Sequence, residues 1–322
     1  MLIEEHKRIN RLKSKWDKLY SVSEAATSPL QSFSPNHIYY NSFRLGYHRR
    51  FMSPRFIYAK DNYSEIVFPI VIDKKKKIIS EFAPLDYYDV VYSGSFDIVS
   101  EVVQWIKDRH PGYSLLFNRV NQSATLFNVT NTVIRTEECV AIDLGGREYE
   151  DYYLSLSKHQ RQNLRTAYNK IEKEGETVSL DIIDPRSLTR EFRRELQFLY
   201  EDRKARIDSG LSAFKLFYKR ISAPVFKIMM SIENGKLFVL KINDKPAAVM
   251  AGFYSKERDG FVVPVLFSNN EMLRYSPGII LINEVVKELI QEKVNSLDLA
   301  RGTEQYKYMM GGKTHLNYTI LL

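Results

Sequence analysis

Residues 236–267 read KLFVLKINDKPAAVMAGFYSKERDGFVVPVLF, three apolar runs rich in β-branched and aromatic side chains. Each run has strand length. The breaks between them carry turn chemistry, Asn243-Asp244 in the first and Glu257 to Gly260 in the second, so the stretch predicts a three-stranded meander. Next comes GIILINEVVKELIQE (278–292), with Ile280, Leu281, Val285, Leu289 and Ile290 on one helical stripe. SLDLA (296–300) reads as a strand, TEQYKYMMGG as a short helix leaving through glycine, and HLNYTILL as a closing strand. Upstream of the meander, VAIDL (140–144) is a strand and residues 148–175 form one long helix ended by Gly175. A short strand and a helix from about Ser187 to Ile207 complete the series. From residue 139 the order is thus strand, helix, strand, helix, three strands, helix, strand, helix, strand, which is a mixed α/β fold.

The first half is similar in kind. Ile3, Ile9, Leu12, Trp16 and Leu19 predict an amphipathic helix over residues 3–20, followed by a polar stretch from Ser21 to Pro35. FIYAK, EIVFPIVID and KIISEFAP read as consecutive strands, the last two joined by the turn Lys74 to Lys77, and FDIVSEVVQWIKDRH reads as a helix closed by Pro111-Gly112. A length of 322 residues corresponds to roughly two domains. We place them at 1–138 and 139–322.

Composition excludes several classes of protein. A lone Cys139 forbids an internal disulfide framework, and the 6 His show no zinc-ligand spacing, so no metal is expected. No window has the apolar length of a spanning helix, and the charged start MLIEEHKRIN lacks the core of a signal peptide. The expected location is the cytosol, including the inner face of the membrane. Lys and Arg outnumber Asp and Glu by 47 to 39, a net +8 that favours a phosphate-bearing partner. Acids are interleaved with these bases, which argues against a dedicated nucleic-acid-binding module.

Two short strings fail on context. Gly312-Lys313-Thr314 lacks the preceding glycine and following helix of a phosphate loop, and Ser155-Leu156-Ser157-Lys158 lacks the companion motifs of penicillin-binding enzymes. Two longer segments remain. In RYSPGIILINE (274–284), Ser276, Pro277 and Gly278 mark a helix start whose amides, with Arg274 beside them, suit a pyrophosphate. In LDLARGTEQYK (297–307), Asp298, Arg301, Glu304, Tyr306 and Lys307 crowd the end of a strand and the next helical turn, where open sheets place their chemistry. Glu304 and Lys307 are three apart, so a base, a phenol and a cation can converge. The plain alternative is an exposed ion pair. Arg161, Arg165, Arg203 and Arg206 recur at helical spacing and make either a solvated face or a cationic surface for a phosphorylated acceptor.

YSPGIILINE followed by LDLARGTEQYK resembles the signature of the GNAT-type acyltransferases of the CelD-like cellulose-biosynthesis group, relatives of the Fem aminoacyltransferases. LSKHQRQNLRTAYNKIEKEG, with Arg161, Asn163 and Arg165, and LDYYDVV (85–91) are similar to that group as well. The resemblance spans about residues 150–310. It implies tandem GNAT-like domains, the carboxyl-terminal one keeping the groove for an acyl-CoA, most simply acetyl-CoA. The pantetheine would lie where FVVPVLF and SLDLA splay apart, along Val265 and Leu266, with Pro264 at a bulge. The pyrophosphate would rest on Ser276, Gly278 and Ile279, near Arg274.

An amine would attack the thioester, a carboxylate or water would take its proton, and a tyrosine would protonate the thiolate. Tyr306 matches the Tyr-Lys pair of the CelD-like group, whereas Tyr308 matches the tyrosine-to-glycine spacing of many GNAT proteins through Gly312. The implied acceptor is a small amine of a cell-envelope or polysaccharide precursor, such as a nucleotide-linked amino sugar, held by Arg161, Arg165, Arg203 and Arg301. Two departures stand out. The loop RYSPGI offers fewer amides than the common GNAT loop, and Fem-like relatives use aminoacyl-tRNA with a lysine near Lys307, which leaves a tRNA donor as the alternative.

Overall fold

The amino-terminal stretch is not the expected single helix. Leu2–His6 forms strand β1, a 3-10 turn covers Ile9–Leu12, and helix α1 runs only from Lys13–Val22. Ile9, Leu12, Trp16 and Leu19 are all buried, so their spacing was informative. Ile3 belongs to a strand paired with Ala59. The structure, a computed structural model, describes all residues except 27, 46–49, 84, 131, 208–223 and 257, and beyond these the side chains of residues 206 and 207. Part of the second turn of the meander, and the side chain of Arg206, thus lie outside the described residues.

The chain continues with α2 (Phe33–Leu45), β2 (Met52–Lys60), β3 (Glu65–Asp73), β4 (Ile78–Glu81), β5 (Val91–Ser93), α3 (Asp97–Arg109) and β6 (Ser114–Val120). Helix α2 was not read from the sequence. Its buried Phe33, Pro35, Asn36, Tyr40 and Phe43 sit among polar residues that disguise the stripe. Next come β7 (Val133–Asp143), α4 (Tyr149–Ser155), α5 (Lys158–Lys173), β8 (Val178–Ile183), α6 (Arg190–Ile207) and α7 (Val225–Met229). The expected helix over 148–175 is therefore two. Ser157 caps the second by accepting the Gln160 amide at 3.1 Å, and Arg161 donates to the carbonyls of Leu154 and Leu156 at 2.7 and 2.5 Å, which satisfies the break. The remaining elements are β9 (Gly235–Ile242), β10 (Lys245–Ser255), β11 (Gly260–Ser268), α8 (Pro277–Gln291), β12 (Ser296–Arg301), α9 (Gln305–Met309) and β13 (Gly312–Leu321).

Two compact units result. The first takes in Met1–Glu138 and Leu316–Leu322, and the second the described residues of 139–207 and 225–315. In the first, strands run in the order β1, β2, β3, β4, β6, β13, with β5 beside β3. In the second the order is β8, β9, β10, β11, β12, β7. The two orders describe one plan. An antiparallel run ends in a strand (β4 or β11), a helix (α3 or α8) crosses over, and the next strand (β6 or β12) pairs parallel to it. The expected mixed α/β fold is what the chain forms, with one strand plan in both units. Tyr318, Ile320 and Leu321 of the last strand register on Val120, Phe117 and Leu116 of β6, so this strand closes the first unit's sheet.

Both parallel pairs come apart after two residues. In the first unit only Ile78 and Ile79 face Ser114 and Leu115; in the second only Phe261 and Val262 face Leu297 and Asp298. The first unit seals its fork with a carboxylate, since Glu81 accepts the Asn118 amide at 3.0 Å and the Asn118 side-chain nitrogen at 3.1 Å. Burial pushes that carboxyl up from its ordinary value, against the pull of these hydrogen bonds.

Candidate active site

The fork between β11 and β12 is built by two bulges facing opposite ways. On β11, Val263 and Pro264 together oppose the single Gly252 of β10, because Ala251 pairs with Val265 and Phe253 with Val262. On β12, Leu299 and Ala300 oppose the single Val140 of β7, because Asp298 pairs with Ala141 and Arg301 with Cys139. An extra residue bends its strand and increases the twist, so each member of the parallel pair curves away from the other. The bulge read from Pro264 is present, and proline has no amide to lose from the ladder. Val265 and Leu266 continue β11 beyond the fork.

The backbone that leaves the ladder is satisfied by side chains. Ala300 adopts a φ of 55°, a left-handed conformation costly for alanine. Its amide donates to Asp298 Oδ1 at 2.8 Å. The buried Lys307 ammonium donates to the carbonyls of Ala300, Arg301 and Gly302 at 3.4, 2.7 and 3.2 Å and pairs with Glu304 at 3.0 Å. Asp298 is wholly buried and also holds Arg258 at 3.0 Å and His315 at 3.2 Å. Gly302, at a φ of 105°, lets the Glu304 carboxylate fold over the turn, for a β-carbon there would stand 2.5 Å from a Glu304 oxygen. Of the expected base, phenol and cation, Glu304 and Lys307 meet at 3.0 Å, while Asp298 binds the neighbouring turn through the Ala300 amide. Asp298 and Lys307 are committed to the turn, whereas Glu304 is exposed.

Residues two apart on a helix point roughly 200° from each other, so Tyr306 and Tyr308 take opposite sides of α9. Tyr306 packs against the second unit's apolar core and its phenol is pushed up to about 12, first by burial, then by Glu304, with Arg203 opposing. Tyr308 is exposed and shares a hydrogen bond of 2.9 Å with Thr314. Arg301 is exposed at the end of β12.

The tip of α8 forms the other wall. Ser276 takes a φ of 53° and offers no side-chain cap, and its carbonyl accepts the amides of Ile279 and Ile280 at 3.1 and 3.3 Å. Pro277 has no amide to offer. The Gly278 amide has no carbonyl partner among the described residues, and a β-carbon at Gly278 would stand 3.0 Å from Ser268 Oγ. Arg274 is turned to Glu174 at 3.1 Å and to the Tyr275 hydroxyl at 2.5 Å. A cation the sequence reading missed sits close by: Lys170 of α5 donates to the Arg274 carbonyl at 3.3 Å. Sequence periodicity gave no signal for it, since it lies about 180° around α5 from Arg161. Arg161 is spent on the break before α5, while Arg165 donates to the Tyr153 hydroxyl at 3.2 Å and lines a cavity of about 230 Å3 with Tyr149, Tyr168, Asn283 and Lys287.

No curated protein matches the chain by sequence. Residues 158–308 match a family described as "Acetyltransferase (GNAT) domain". Among solved structures, a conserved protein of unknown function from Bacteroides thetaiotaomicron is 12% identical, covers 99% of each chain and gives a TM-score of 0.57. The carboxyl-terminal domain of a putative lysylphosphatidylglycerol synthetase from Agrobacterium fabrum is 12% identical over 98% of this chain and 92% of its own, with a TM-score of 0.56. FemX is 11% identical over 100% and 98%, with a TM-score of 0.54. At such identities these likenesses speak to the fold. Among the described residues no helix is long and apolar enough to cross a membrane. The forked parallel strands and the uncapped helix tip fall inside the segment, residues 158–308, that is similar to the GNAT acetyltransferase domain family.

Proposed function

We propose that the protein transfers an acyl group from acyl-CoA, acetyl-CoA in the first instance, to the amine of a cell-envelope or polysaccharide precursor such as a nucleotide-linked amino sugar, in the manner of the CelD-like group. The observation that carries this reading is the pair of opposed bulges that opens β11 from β12 directly ahead of the Gly278 tip. The thioester would lie along Val265 and Leu266, its carbonyl polarised by a main-chain amide at the β11 bulge. Its pyrophosphate would take the Gly278 amide and the positive end of α8 beside Ser276 and Ile279, with Lys170 and Arg274 as nearby cations.

In the reaction the acceptor nitrogen attacks the thioester carbon and the carbon–sulfur bond breaks. Glu304 takes the proton from nitrogen and Tyr306 supplies one to sulfur. Tyr306 is preferred over Tyr308 because the Tyr308 hydroxyl is already bonded to Thr314, and a phenol held near 12 is protonated at neutral pH. Asp298 and Lys307 act as positioning residues that hold the turn 300–302. Arg165, Arg203 and Arg301 would meet the acceptor's phosphates.

A second reading has one observation behind it. Arg274 is held by Glu174 and only one first-turn amide is left over, which suits a donor lacking a pyrophosphate, such as an aminoacyl-tRNA. Calorimetric titration with acetyl-CoA separates the two. The parent should bind, and Gly278→Glu, made together with Ser268→Ala to remove the contact at Oγ, should not. Binding that persists in the double variant removes the pyrophosphate site from α8. No binding by the parent, with transfer that ribonuclease abolishes, transfers the function to the tRNA donor.

A further inference from the structure

A cavity of about 530 Å3 in the first unit is lined by Arg8, Asn10, Arg11, Tyr40 and Arg44. It belongs to no element of the acyl-transfer groove, which lies in the second unit, and does not depend on that reading. Arg8 is the extended N-cap of the 3-10 turn Ile9–Leu12 and Arg11 lies within it, and both line the cavity. Ile9 and Leu12 are fully buried beneath, so both arginines project from an anchored backbone. The Tyr40 hydroxyl donates to the Lys7 carbonyl at 3.3 Å, fixing the approach to Arg8, and the Arg44 guanidinium lies 5.9 Å over the Tyr40 ring.

Arg8 and Arg11 on one cavity wall repel unless an anion intervenes, and among the described residues no carboxylate lines the cavity. The nearest acids in sequence are engaged elsewhere. Glu4 holds Lys15 at 2.7 Å and His6 at 2.9 Å, Glu5 holds Arg55 at 2.5 Å and Arg109 at 3.0 Å, and Asp17 holds Lys13 at 2.7 Å. Among the described residues Arg8 and Arg11 make no ion pair. Guanidinium groups match phosphate oxygens with paired donors, and arginine rather than lysine is the residue suited to that geometry.

We propose that this cavity is a phosphate-binding site that takes a ligand by a diphosphate or a comparable pair of phosphate oxygens, Arg8 and Arg11 gripping from one wall and Arg44 from the other. The test is calorimetry on the full chain with inorganic pyrophosphate at low salt. The parent should bind. Arg8→Glu with Arg11→Glu should weaken binding at least about tenfold, whereas the charge-matched Lys74→Glu with Lys75→Glu should change it less than about threefold. All four positions are exposed, so the variants should fold, which circular dichroism checks. Competition then names the source. Displacement of pyrophosphate by UDP assigns a soluble nucleoside diphosphate, and displacement by phosphatidylglycerol vesicles but not by phosphatidylcholine vesicles assigns a lipid headgroup. No binding by the parent, equal loss in both double variants, or displacement by neither competitor overturns the site.

Discussion

Lys307 reads, in the string Glu304-Gln305-Tyr306-Lys307, as a cation converging with a base and a phenol, and its surroundings commit it to the backbone instead. Three carbonyls of the turn 300–302 converge on its ammonium, a geometry that no reading of spacing could supply. Asp298 is similar, for a carboxylate with no exposure and partners in Ala300, Arg258 and His315 is built to hold a bend. These commitments leave Glu304 and the tyrosines for proton transfer. Replacing Tyr306 by Phe should lower kcat by about 100-fold or more with little change in KM, while Tyr308→Phe should stay within about twofold, as expected for removal of one general acid. A phenol raised to about 12 donates its proton at every pH below that value, so activity should show no loss from this group between pH 8 and 10. Steady-state rates over that range for the parent and both variants check the assignment, and equal activity in all three would remove the tyrosine acid.

At the scale of the element, the fork rests on a local fit between strands. Gly252 is the single residue facing the β11 bulge, and a β-carbon there would meet the Val262 carbonyl at 2.2 Å and the Phe261 ring at 2.7 Å. Gly252→Ala must therefore push β10 from β11 or flatten the bulge, at a cost of about 1–3 kcal/mol. Urea unfolding should show that loss, and acetyl-CoA affinity should fall with it, whereas a stable variant of unchanged affinity would mean that the bulge does not shape the donor groove. The elements themselves were largely visible in the sequence. The meander 236–267, helix α8 and strand β12 follow from periodicity and turn residues that act locally. Helix α2 and the split between α4 and α5 were not visible, because the first hides its stripe among polar residues and the second turns on Leu156 being buried while Ser157 caps.

Across the whole molecule the same strand plan occurs twice, and the two copies treat their forks differently. In the first unit β6 carries a bulge at Asn118 and Arg119, the latter at a φ of 61°, much as β12 carries one at Leu299 and Ala300. Glu81 fills the gap there with a carboxylate; the second unit folds its own backbone away with Asp298 and Lys307. The closing strand links sequence to this plan in an unexpected way, since Leu316–Leu322 completes the first unit. Deleting residues 316–322 should strip amide protection from β6 in hydrogen exchange while β9 and β10 in the second unit keep theirs; loss of protection in both alike would mean that the last strand supports more than its own sheet. The sequence by itself determined the mixed α/β class, the meander and the helix start at Gly278, because hydrophobic period and turn chemistry are properties of neighbouring residues. Only the tertiary structure decided which fork stays open, which carboxylates and cations are consumed in holding a bend, and where the last strand pairs. Those outcomes depend on hydrogen-bond partners brought together from distant parts of the chain, and no local pattern encodes them.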